Sequence, residues 1–166
     1  MKYISFAIPC YNSEAYMANA IESVLKGGED VEIIVVNDGS RDKTSEIGHQ
    51  YAEKYPDIIK VVDKENGGHG DAVNSGLASA TGKYFKVVDS DDWVDEDSLH
   101  RILDTLRRFE QENEQVDMFV ANYVYEKEGA AHKKVIRYTN VLPTEQVFGW
   151  NDVGHFRMDQ YILMHS

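Results

Sequence analysis

A single cysteine, Cys10, is all that this chain of 166 residues carries, which excludes an internal disulfide and fits a reducing compartment. Positive charge is scarce too: 17 Lys and Arg stand against 29 Asp and Glu, a formal charge of -12. No basic stripe exists to displace counterions from phosphates, so nucleic acid is excluded as a partner, as is a polybasic membrane anchor. No apolar run approaches the roughly 20 residues that span a bilayer, and the first residues enter a strand pattern without a basic and then apolar leader. Internal repeats and low-complexity linkers are lacking as well. The expectation is a cytoplasmic domain with no transmembrane segment, reaching the inner face of a membrane only through other parts or partners. An acidic chain that binds an anion needs a metal ion or helix N-termini to do so.

Several catalytic signatures fail at particular residues. Gly68-His69-Gly70 would need a glycine at position 73 for a dinucleotide fingerprint, and Val73 stands there. Tyr84 follows Lys83 where a P-loop needs Ser or Thr, and Gly76 and Gly82 are spaced wrongly for one. The six histidines form no zinc-type pair with a matching acid; His132 and His155 read as surface residues. Cys10 has no neighbour that would activate a thiolate, and no Gly-x-Ser-x-Gly elbow occurs.

What is present is a regular alternation. With 42% hydrophobic and 28% charged residues the chain can bury a proper core. Tyr3 to Ile8 reads as a strand stopped by Pro9; a helix follows, with Met17, Ile21, Val24 and Leu25 on one face, Ser13 as N-cap and Gly27-Gly28 as stop. Val31 to Val36 is a near-continuous apolar run, as in a strand covered on both faces. A second helix carries Ile47, Tyr51 and Tyr55 and ends at Pro56; Ile58 to Val62 is a third strand. A short helix with Val73, Leu77 and Ala80 inward and Gly82 as C-cap precedes the strand Tyr84 to Val88. Leu99, Ile102, Leu103 and Leu106 predict a helix from about Asp95 to Glu112. Further strands are predicted at Met118–Tyr125 and Val135–Tyr138, with a polar turn from Glu126 to Lys134, and an amphipathic helix opens at Phe156 and runs to Met164. This order predicts an α/β fold: a mostly parallel central sheet with helices on both faces. The organisation expected is one domain over 1–125 and, over 126–166, the start of a second region cut from a longer protein.

In a parallel sheet, ligands sit beyond the carboxyl ends of the strands. Four polar segments fall there: Pro9 to Glu14, Asn37 to Ser40, Lys64 to Gly70, and Asp89-Ser90-Asp91-Asp92. The last delivers three carboxylates within four residues. Packed so tightly they repel, and an oxygen-rich, thiol-free set suits Mg²⁺ or Mn²⁺, which would in turn hold a phosphate. The competing reading is an acidic first turn on the next helix. Asp38 can accept a hydrogen bond from a base imide N–H, as in uracil, or can begin a turn. Tyr11 can stack on a base or simply pack. The glycines of 66–70 offer backbone N–H groups as a phosphate cradle, or merely a turn.

Ala7-Ile8-Pro9-Cys10-Tyr11-Asn12 and Ile33 to Ser40, with Asp42 and Thr44, resemble the start of family 2 inverting glycosyltransferases. Asn66-Gly67-Gly68, Asn74-Ser75-Gly76-Leu77, Ala80-Thr81-Gly82 and Asp89-Ser90-Asp91-Asp92 follow in the family's order. The resemblance spans roughly residues 2 to 98. It implies a GT-A fold and transfer of a sugar from a nucleotide-diphospho-sugar, with a UDP-sugar expected, to a hydroxyl of a glycan or lipid-linked acceptor in surface polysaccharide synthesis, with 1–125 as the donor-binding domain and 126–166 as the start of the acceptor side. On its terms Pro9, Tyr11 and Glu14 line the nucleoside pocket and Asp38 reads the base. Gly68 and Asn74 belong to the donor-binding motifs, Asp89 contacts the ribose or donor sugar, and Asp91, with Asp89 and Asp92, binds Mn²⁺ or Mg²⁺. Asn37 departs from the family's usual acid, Val73 stands where many members have Arg, and Gly68 to Val73 resembles polyprenyl-phosphate sugar transferases, with His69 in place of a common Lys.

An inverting transfer also needs a base for the acceptor proton. Asp152 and Asp159 are the only acids after Glu145 and neither has a family-like context, so the base is expected beyond Ser166. Two other classes remain open from sequence. A sugar nucleotidyltransferase would want a Gly-rich basic loop after the first strand, where Pro9 to Asn12 stands. A donor-binding module without catalysis would keep the acids only as caps.

Overall fold

Four strands build the centre of the molecule: β1 (Ile4–Cys10), β2 (Val31–Asp38), β3 (Ile59–Lys64) and β4 (Tyr84–Val87). They are all parallel, in the order β3-β2-β1-β4. This is a computed structural model, and it describes residues 1–126, 133–157 and 160. Every residue of β1 and β2 is buried, which explains why their sequences read as apolar runs without alternation.

Helices α1 (Met17–Leu25), α2 (Thr44–Lys54), α3 (His69–Ser79) and α4 (Glu96–Gln111) follow the four strands in turn. Gly48 of α2 lies against Val35 and Val61, and Gly76 of α3 against Ala7 and Val36. Val35 and Val36 are successive strand residues on opposite faces, so both sides of the sheet are covered. In α4, Leu99, Leu103, Leu106 and Phe109 are buried, and Asp95 caps the helix by accepting from Ser98 N at 2.9 Å.

The strands and helices of the first 112 residues sit within a few residues of the sequence expectation, with informative exceptions. β1 runs through Pro9 to Cys10. Ala7 O accepts from Val88 N, so Pro9, two residues on, faces the same side, where β4 has already ended and no donor is wanted. Ser13 is not the cap of α1: the helix starts at Met17, and Ser13 is buried among loop contacts. In α3 the buried residues are Ala72 and Gly76, while Leu77 is 54% exposed. Gly82 does not cap α3, which ends at Ser79 with Ala80 as its cap; a Cβ at Gly82 would come within 2.7 Å of Ser5 N, so Gly82 lets the chain pass close to β1.

The chain packs as two units, Met1–Asn113 and Glu114–Ser166. The second holds a two-stranded antiparallel ribbon, β5 (Tyr123–Tyr125) with β6 (Lys134–Ile136), over a small core of Ile136, Tyr138, Val141 and Leu142. Both strands are shorter than their apolar runs in the sequence. Most of the turn expected at Glu126 to Lys134, most of the helix expected from Phe156, and Asp159 lie outside the described residues. Among the described residues, no helix is long and apolar enough to cross a membrane.

Candidate functional site

Because the four strands are parallel, the loops leaving their carboxyl ends share one edge of the sheet. Hydrogen bonds join these loops. Asn12 N donates to Ser40 Oγ (3.0 Å), Ser13 N to Thr44 Oγ1 (2.8 Å) and Glu14 N to Asp42 Oδ2 (3.1 Å). In return, Arg41 N donates to Asn12 Oδ1 (2.9 Å) and Lys43 N to Glu14 Oε2 (2.8 Å). The Ser13 and Ser90 hydroxyls, 2.9 Å apart, carry the connection across to the loop after β4. Burial alone would raise the pKa of Asp42, but bonds from Thr44 and from Glu14 N hold it below the usual carboxylate value.

Asp38 ties the second loop to the third. Its carboxylate is 3% exposed and accepts from Gly67 N, Gly68 N (both 2.8 Å) and Lys64 Nζ (2.6 Å). Lys64 also reaches Asp71 Oδ2 at 2.7 Å. Desolvation works against this buried charge, yet Lys64 and the two backbone donors outweigh it and lower the pKa. The glycine N–H groups expected as a phosphate cradle are thus engaged by an internal carboxylate. Gly68 adopts φ of 87°, a backbone conformation that favours glycine. Asn37 turns into the protein, donating to Asp63 Oδ1 (2.7 Å) and accepting from Ser40 N (3.1 Å).

The acids after β4 stand at the other end of this surface. Asp89 is half-buried, with its Oδ1 3.8 Å from His69 Nε2 on the first turn of α3, while Asp91 and Asp92 are exposed. Lys86, three residues earlier on β4, has its pKa pushed down by burial to about 8, against the opposing pull of Asp89 and Asp92. Among the described residues, no three His, Cys, Asp or Glu side chains are gathered to hold an ion by themselves. Mg²⁺ and Mn²⁺ are commonly held by one or two carboxylates plus substrate phosphates and water, and this donor set fits that arrangement rather than a closed protein cage.

Of the residues singled out in the sequence, Asp38 and Gly68 are bonded to each other, and Glu14 joins the first two loops. Pro9 is buried in β1, Tyr11 is 51% exposed just beyond it, and Asn74 is exposed on α3 without a hydrogen bond to these loops. Asp152 accepts from Gly149 N at 3.0 Å within a single 3₁₀ turn. Sequence reasoning missed the Ser13–Ser90 bridge, the Lys64 clamp and the His69–Asp89 approach. Each joins residues from different loops, and no local pattern announces such a pair.

Residues 5–165 match the family model described as Glycosyl transferase family 2. The chain is 38% identical over 128 residues to the minor teichoic acid biosynthesis protein GgaB of Bacillus subtilis, a match covering 75% of this chain and 14% of that protein. Among solved structures, S. aureus TarS 1-349 in complex with UDP-GlcNAc aligns with a TM-score of 0.57 at 32% identity, covering 66% of this chain and 32% of that 1-349 chain. The mannosyltransferase PcManGT from Pyrobaculum calidifontis, in complex with GDP-Man and Mn²⁺, aligns with a TM-score of 0.53 at 26% identity, covering 58% of this chain and 30% of that one. The chain therefore spans about a third or less of the proteins it resembles.

Proposed function

The chain belongs to glycosyltransferase family 2, with a GT-A type α/β fold, and from that premise we propose that it is the donor-binding part of a metal-dependent, inverting hexosyltransferase. The donor is a UDP-sugar and the acceptor a hydroxyl of a growing surface polysaccharide. The observation that carries this reading is the placement of Asp89, Asp91 and Asp92 at the same sheet edge as the bonded loops after β1, β2 and β3. The UDP-GlcNAc bound by TarS and the teichoic acid role in the name of GgaB support the donor and acceptor classes.

In this reading Tyr11 stacks on the uracil, with Pro9 forming the floor beneath it and Glu14 fixing the first loop to the second. Asp38 holds the third loop in place and is assigned the reading of the base imide. Gly68 and Asn74 flank the diphosphate path along α3, and Asp89 accepts from the ribose or the sugar. Asp91, assisted by Asp89 or Asp92, holds Mn²⁺ or Mg²⁺. When bound, that ion supplies charge to stabilise the leaving diphosphate. The chain's own residues orient the donor; no residue of the chain is assigned as the base that deprotonates the acceptor. Isothermal titration with UDP in Mn²⁺, repeated in EDTA and with GDP, tests the reading. UDP binding that requires the ion is expected. Equal binding in EDTA would overturn the metal dependence, and a preference for GDP would overturn the uridine assignment.

A further inference from the structure

The unit Glu114–Ser166 has a cavity of its own, about 300 Å³, beside the end of β6. Arg137, Thr139, Asn140, Arg157 and Gln160 supply its polar lining, and no acid lines it among the described residues. That is unexpected in a chain of net charge -12. Several cations of the first unit are neutralised: Lys60 pairs with Glu32, Lys64 with Asp38, Lys83 with Glu110 and Arg107 with Asp30. Arg137 and Arg157 form no ion pair among the described residues.

Gln160, only 4% exposed, fixes the two arginine-bearing segments beside each other. Its Nε2 donates to Arg137 O and to Asn140 Oδ1, both at 2.7 Å, and its Oε1 accepts from Arg157 N at 2.8 Å. Gly154 N, three residues before Arg157, donates to Val141 O at 2.7 Å and ties the same segment down again. Because Gln160 engages the oxygen of the Asn140 amide, its NH₂ group is left as a donor. Arg137, Arg157, Asn140 and Thr139 thus line one space, and together they carry more donors than acceptors.

We propose that this cavity binds a phosphoryl group. Guanidinium forks match phosphate oxygens in pairs, and a third oxygen gives Thr139 and Asn140 an acceptor that a carboxylate lacks. The volume lies at the lower end of ligand pockets, roughly 300–1,000 Å³, so it admits a phosphate with part of the molecule that carries it. The inference rests on this unit's own residues and is independent of the donor site.

The test is calorimetric titration of the whole chain with inorganic phosphate and, separately, with glycerol 3-phosphate. Saturable binding is expected, weakening with added salt and falling about tenfold in Arg137→Ala and in Arg157→Ala. Arg137→Lys keeps the charge but not the fork, and it is expected to lose an intermediate amount, which covers the case in which an alanine variant does not fold. Asp91→Ala is expected to bind both probes as wild type does. Tighter binding of glycerol 3-phosphate assigns the site to a phosphate ester, and equal affinity assigns it to the free anion; both support a phosphoryl site. Absence of binding, retention of affinity in both alanine variants, loss in Asp91→Ala, or equal competition by acetate would overturn the proposal.

Discussion

At the scale of single residues, the sheet is held at its amino-terminal edge by a carboxylate with no part in the site. Glu32 accepts from Ser5 Oγ (2.5 Å), Lys60 Nζ (2.7 Å), Thr81 N (2.8 Å) and Thr81 Oγ1 (2.9 Å), so it joins β1, β2, β3 and the approach to β4. Burial alone would raise its pKa, but the bonds from Lys60, Ser5 and Thr81 overcome this and bring it from 4.5 down to about 2. A carboxylate with a depressed folded pKa contributes stability above its unfolded value, and that contribution is lost as pH falls through the folded one. Glu32→Gln should therefore cost about 2–3 kcal/mol at pH 7, since it leaves Lys60 and the backbone donors poorly paired. Urea unfolding at pH 7 and again near pH 2 checks this: the gap between variant and wild type should shrink across that interval. A gap independent of pH would mean that the charge of Glu32 is not what joins the strands.

At the scale of elements, α3 shows both what a sequence reveals and what it conceals. Its existence is legible from the turn at Asn66 to Gly70 and the spacing that follows. Its buried face is not, because large apolar residues were the only guide and they pointed to Val73 and Leu77. The helix instead lies so close to β1 that a Cβ at Gly76 would stand 2.6 Å from Ala7 Cβ, and only small residues fit. Gly76→Ala tests this directly. Alanine improves helix propensity by about 1 kcal/mol, but overpacking costs about 1–3, so a net loss of up to about 2 kcal/mol is expected in chemical denaturation. Since α3 carries Gly68 and His69 at its start, the variant should also bind UDP more weakly. α4 presents the opposite case. Its apolar stripe and the Asp95 cap lie within one stretch of chain, and its limits were legible to a residue. Ser13 misled for a related reason: it has the chemistry of a cap, but its hydroxyl is committed to Ser90, 77 positions away.

At the scale of the whole molecule, the mostly parallel sheet and the carboxyl-edge location of the acids follow from sequence alone, but the strand order does not. The internal wiring of that edge does not follow. Nothing local says that Asp38 will bind Gly67, Gly68 and Lys64, or that Asn37 will face Asp63. The ribbon of the second unit was harder still, since its short strands carry little periodic signal. The proposed role of the acids after β4 is to hold the ion through which the donor diphosphate is bound. Its most direct test is the affinity of Asp91→Ala for UDP in Mn²⁺, measured by calorimetry with circular dichroism as the check on folding. Loss of at least about tenfold in a folded variant is predicted, the scale of one charge-assisted contact. Wild-type affinity in that variant would contradict the claim and return the acids to the role of helix-capping residues.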